Sequence, residues 1–184
     1  MNYKKIIVFI LIITMLSSIS LALEIKDSTS GVDFQLYLDA DGKLYGIGGN
    51  DQGELGMGDS GETEYDELVE ITTDVLLPEV GDSLIKRTIA AGADFTVIIK
   101  SDKKAYATGE NYFGQLGTGD TNATNTFAAM QGDTENANIV SVSAGADYVL
   151  LLNESGEVYG AGDNVLPITP TELKAVGFQR IKLV

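Results

Sequence analysis

The side chains that could do chemistry in this chain are carboxylates. Aspartate and glutamate total 27, and histidine, cysteine and tryptophan are absent. No imidazole is available as general base, proton shuttle or metal ligand, and both serine–histidine and cysteine–histidine catalysis are excluded. Two carboxylates such as Asp94 and Asp102 could in principle work as an acid–base pair in a hydrolase, with or without a metal. Against this, Asp33, Asp94 and Asp147 hold the same place in three related segments. Recurrence of that kind predicts a structural role, because a catalytic site is normally unique. Asp39-Ala40-Asp41-Gly42 resembles a fragment of a calcium loop. Its first ligand position, however, would be Tyr37, and Gly48 stands where the bidentate glutamate is needed. A hairpin turn explains it better, and a surface calcium site elsewhere stays open among so many acids.

Candidate binding residues fall in two places. The stretch from Ser60 to Ser83 carries eight acids, Glu64, Asp66 and Glu67 among them, and no lysine or arginine. It reads either as a solvated insertion or as a contact for a basic partner. Tyr112-Phe113, and Asp51-Gln52 at the same place one repeat earlier, sit just before a glycine-rich stretch. An aromatic pair is a natural hot spot when exposed, but packing on the next structural unit is the favoured expectation. The glycine stretches lack the Lys-Ser/Thr ending of a phosphate loop and do not open a helix, so they predict tight turns and no cofactor.

The elements that must position these residues come as a repeat. Gly31 to Asp59 and Gly92 to Asp120 align without a gap and share 13 of 29 positions, and Gly145 to Asn164 is a shorter third copy. In the second copy, Asp94 to Ile99 and Lys104 to Thr108 predict a hairpin closed at Ser101-Asp102-Lys103. Thr126 to Met130 and Asn138 to Ser143 predict two more strands. The first copy predicts strands at Phe34 to Leu38, Lys43 to Ile47, about Leu68 to Thr72, and Leu84 to Ala90. The third predicts them at Asp147 to Leu152, Glu157 to Ala161, about Glu172 to Val176, and Phe178 to Leu183. Four short strands per period of 61 or 53 residues is the pattern of a propeller blade. The expectation is an all-β, partial β-propeller of about three four-stranded antiparallel blades, at about 31–90, 92–143 and 145–183.

Tyr106-Ala-Thr-Gly109-Glu-Asn111 and Gly114-Gln115-Leu116-Gly117-Thr-Gly119-Asp120, with their first-copy counterparts, resemble the repeat of the regulator of chromosome condensation family. The chain departs from that pattern in having Phe34, Phe95 and Tyr148 where histidine is frequent, and Ile47, Thr108 and Ala161 where tryptophan is frequent. The third copy also loses the glycine stretch after Asn164. The resemblance implies a ring of about seven blades and protein–protein contact through loops on its faces. Three blades would leave two faces open. The alternatives are a fragment or truncated paralogue without independent function, a homo-oligomer that completes the ring, or a marginally folded product. Leu23 to Ile25 could mimic a closing strand.

Residues 1–22 read as a signal peptide. Lys4 and Lys5 precede an apolar run from Ile6 to Met15, and Ser20 and Ala22 have the spacing of a cleavage site. An uncleaved membrane anchor over residues 5–22 is the alternative. Formal charge is −15, and removing Lys4 and Lys5 takes it to −17. Such a chain repels phosphate backbones, so nucleic acid is not an expected partner. The function expected is that of an exported, non-enzymatic protein-binding or scaffold module.

Overall fold

The computed structural model describes residues 24–58, 64–71, 73–78, 86–132, 134, 137–163 and 179–181. The expected signal segment lies outside them. Among the described residues there are twelve strands in three antiparallel four-stranded sheets, each a blade of a partial propeller. The first blade runs β1 (Ile25–Ser30), β2 (Phe34–Asp39), β3 (Leu44–Gly49) and β4 (Glu64–Ile71) in spatial order. The second runs β5 (Ile89–Ala91), β6 (Phe95–Ile99), β7 (Ala105–Gly109) and β8 (Thr124–Ala129). The third is β9 (Ile139–Ala144), β10 (Tyr148–Asn153), β11 (Val158–Gly162) and β12 (Gln179–Ile181).

The blade boundaries differ from the sequence expectation by one strand. The segment that ends each period pairs with the hairpin that follows it, so Ile89–Ala91 and Ile139–Ala144 open the second and third blades. The reason is connection length: Gly92-Ala93-Asp94 is a tight turn that joins β5 to β6 as antiparallel neighbours. At the amino end, β1 extends well past the expected Leu23–Ile25 and fills the same place in the first blade. At the other end, β12 pairs with β11 as the outer strand of the third blade, where Phe178–Leu183 was expected to follow one more strand. The Glu172–Val176 strand lies outside the described residues.

The middle blade shows why the sheets stack. All five residues of β6 are buried. Successive side chains of a strand point to opposite faces, so Phe95, Val97 and Ile99 join the core shared with the third blade while Ile98 joins the core shared with the first. Covered on both faces, β6 has no polar alternation, as a doubly buried strand should not. The first and third hairpin turns close in one manner. Asp39 Oδ1 accepts the N–H groups of Asp41 and Lys43, both at 2.9 Å, and Gly42 adopts φ +81°. Asn153 repeats this with Ser155 and Glu157. In the second copy Lys103 takes the glycine's place at φ +60°, a conformation costly for a side chain. Asp39 is thus committed to the turn and is no calcium-loop fragment.

Candidate functional site

The strands β1, β5 and β9 of neighbouring blades lie against one another and form the axial side of the stack. The turns that follow them are tied blade to blade by backbone hydrogen bonds. The Val32 N–H donates to Ala93 O at 3.0 Å, and the Ala93 N–H donates to Ala146 O at 2.9 Å. These residues are equivalent in the three copies, and each is followed by the recurring aspartate. The same contact that aligns the blades therefore crowds Asp33, Asp94 and Asp147 at one end of the axis. Burial, then Asp33, Asp51 and Asp147, hold the Asp94 carboxyl above its ordinary range. Glu110 is raised by burial and by Asp94 and Asp147.

The glycine stretches begin at this end. The loop after β3 reaches across the junction and lies on β8, the outer strand of the second blade. Thr108 Oγ1 donates to Gly53 O at 2.7 Å, the Gly58 N–H donates to Asn125 O at 2.8 Å, and Met57 forms a β-bridge with Thr126. Positive φ at Gly53, Gly56 and Gly58 makes the path possible. The loop is a strap between blades, in keeping with the turn reading and not with a phosphate cradle. Its base is buried. Asn50 Oδ1 accepts the Leu55 N–H at 3.0 Å, and in the second copy Asn111 Oδ1 accepts the Leu116 N–H at 2.9 Å.

The candidate binding residues ride on these rigid bases. Tyr112 is 74% exposed and Phe113 52% exposed, so the expected packing on the next blade is not found. An incomplete ring does not explain it. Asp51 and Gln52, at the same positions over a closed junction, are also exposed, so the loop directs these two residues outward. Glu64 pairs with Gly49 and belongs to the same end of the first blade. Asp66 and Glu67 continue down the exposed edge strand β4, away from the loop. The acid pair Asp94 and Asp102 is not brought together. They flank the five-residue strand β6, about 16 Å of chain, and Asp102 accepts from the Lys104 N–H and the Tyr106 hydroxyl in its turn.

One residue escaped the sequence reading. Glu54 is fully buried in the first strap, and one carboxylate oxygen from each of Asp33, Glu54 and Asp94 lies within 4.8 Å of the others. The signal was available. The second copy has Gln115 at this place, and its side-chain amide donates to Glu110 at 3.4 Å. The first copy has Glu54 and Gly49 instead. Away from this end, a cleft of about 120 Å³ between Leu76, Thr88, Lys103 and Val140 is small for an organic ligand.

The strap, the outward loop pair and the axial aspartates arise from the same repeated positions, and family comparison agrees with them. A model of the regulator of chromosome condensation (RCC1) repeat matches residues 102–152, and a second of the same description matches residues 87–115. The chain belongs to this repeat family. Its condensation-regulator repeats are 34% identical to the X-linked retinitis pigmentosa GTPase regulator of Homo sapiens over 122 residues, 66% of this chain and 11% of that protein. They are 32% identical to the RCC2 homolog of Danio rerio over 128 residues, 69% of this chain and 24% of that one. The chain thus spans a minor part of these relatives. Yeast RCC1 (Prp20), solved with Kap60, superposes with a TM-score of 0.67 over 89% of this chain and 38% of its own, at 20% identity, a likeness of fold. Propeller repeats of this kind point to a protein-binding or regulatory module.

Proposed function

We propose that the protein is an extracytoplasmic binding module that engages a protein partner through the loop end of its blades. The observation that carries this is the Tyr112–Phe113 pair. Two large aromatic side chains stand in solvent on a loop whose flanking Asn111, Gln115 and Leu116 are buried. Such a pair is preorganised, and its burial by a partner loses little conformational entropy. Asp51 and Gln52 supply the matching polar position on the neighbouring blade, and Glu64, Asp66 and Glu67 extend an acidic margin suited to a basic rim. The fold supports the reading by analogy, since yeast Prp20 has been solved bound to Kap60. Export rests on the Lys4-Lys5 start and the apolar run behind it.

The test is capture of partners from the extracellular fraction with wild type and with a Tyr112→Ala/Phe113→Ala double variant. The double variant should keep the wild-type melting temperature, because neither ring is in a core, and should lose the captured protein. Retention of the same partner by the double variant, or loss of folding, overturns the assignment.

A further inference from the structure

We propose that Asp33, Glu54 and Asp94 bind a divalent hard cation, Ca²⁺ in preference to Mg²⁺, across the junction of the first two blades. Acidic clusters at surfaces are common, and the recurring aspartates alone would carry no such claim. What singles out this cluster is Glu54. It is fully buried, yet only Oε2 is satisfied, by the Gln52 N–H at 2.8 Å. Oε1 is buried without a hydrogen-bond partner. Leaving a buried carboxylate oxygen unpaired is costly, so a ligand is the natural means of satisfying it.

The second strap shows what a self-sufficient version looks like. There Gln115 Oε1 accepts the Phe113 N–H, as Glu54 Oε2 accepts that of Gln52, and the remaining Gln115 amide group donates to Glu110. In the first strap the amide is replaced by an acid and its acceptor by Gly49. A Cβ at Gly49 would lie 2.5 Å from the Asp33 carboxylate, so the glycine leaves that carboxylate room to stand there. The exchange swaps a donor for an acceptor and gathers acids from two blades. Among the described residues no lysine or arginine forms an ion pair with any of the three. Burial, with Asp51 and Asp33, holds the Glu54 carboxyl above its ordinary range despite two backbone hydrogen bonds. A cation would remove that repulsion.

The donor set selects the ion class. All three ligands are carboxylate oxygens, which suit hard cations. Ligands drawn from two separate blades, with one of the three exposed, suit the more tolerant of the two ions. Asp33 is exposed, which leaves one side open for the waters that complete six to eight ligands. The bound ion would join the first strap, the first axial turn and the second axial turn at one point.

The experiment is titration calorimetry and thermal melting of the full chain, stripped with chelator and returned to Ca²⁺ or Mg²⁺. Saturable one-to-one binding of Ca²⁺, with a melting temperature that rises with its concentration, is expected. Glu54→Gln should weaken this at least about tenfold while melting no lower than wild type in chelator, because the amide restores a donor. Asp33→Asn, at an exposed position, should weaken it without affecting folding. Asp41→Asn, exposed in the β2–β3 hairpin turn, is the control for diffuse attraction to an acidic surface and should change neither readout. The proposal is overturned by no saturable binding up to about 10 mM Ca²⁺, beyond the weakest protein calcium sites. It is equally overturned by wild-type affinity in Glu54→Gln or Asp33→Asn, by equal loss in Asp41→Asn, or by Mg²⁺ binding as tightly as Ca²⁺.

Discussion

At one buried position the two straps differ by a single group: the amide nitrogen of Gln115 becomes a carboxylate oxygen in Glu54. The consequence for pH follows from the direction of the shifts. Glu54, Asp94 and Glu110 have raised folded-state pKa values. Each therefore binds more protons in the folded chain and opposes folding when ionised. That opposition is full at neutral pH and is relieved as pH falls through the raised values towards the ordinary carboxylate range near 4. Asp74, Asp120 and Glu154 are lowered, by hydrogen bonds from Ser101, Asn122 and Lys103 respectively. Their support is lost only below that range, and all three are exposed enough for solvent to screen most of it. In chelator, the melting temperature should thus climb on mild acidification and drop below about pH 4. Glu54→Gln should flatten the climb, and a climb identical to wild type would remove Glu54 as a contributor. None of this was legible from composition. The three aspartates were visible as a repeat, but their convergence depends on backbone bonds between blades that no single copy encodes.

The strap is the element that turns a repeat into a stack. Its glycines were readable as turn residues. Their partner was not, because Gly53 and Asn125 are far apart in sequence and meet only when two blades pack. Gly53 and Gly156 make a controlled comparison, with φ of +83° and +81°. A Cβ at Gly53 would fall 2.6 Å from the Asn125 Cα, whereas a Cβ at Gly156 meets nothing within 4 Å. Gly156→Ala should cost about 1 kcal/mol from backbone strain alone. Gly53→Ala should add at least about 2 kcal/mol more by forcing the blades apart. Urea unfolding of both variants measures the difference, and equal costs would mean that the strap carries no packing. The hairpins were the most legible elements, because the turn pairs Asp41-Gly42 and Ser155-Gly156 and the strands around them signal locally. The strand grouping was not, since periodicity fixes the length of a repeat but not which strand opens a blade.

The two outer faces of the three-blade stack are unlike. Gln35 and Tyr37 stand on the free face of the first blade, where the second blade has Thr96 and Ile98. The free face of the third blade carries Tyr148, Leu150 and Leu152, exposed or half-buried. Apolar surface that a ring would cover favours association. Light scattering should show concentration-dependent self-association, and Leu150→Lys should shift the protein to monomer while Gln35→Lys does not. A wild type that stays monomeric across the accessible concentration range would set that face aside. The difference was written in the sequence, but only the offset of sheet from repeat reveals which residues face outward. The strap also determines how the molecule comes apart. The Gly58 amide lies in a loop, yet its hydrogen bond belongs to the neighbouring blade. Deuterium therefore reaches it when the strap leaves the neighbouring blade, and its exchange rate reports the opening of that junction rather than fraying of a strand within its own blade.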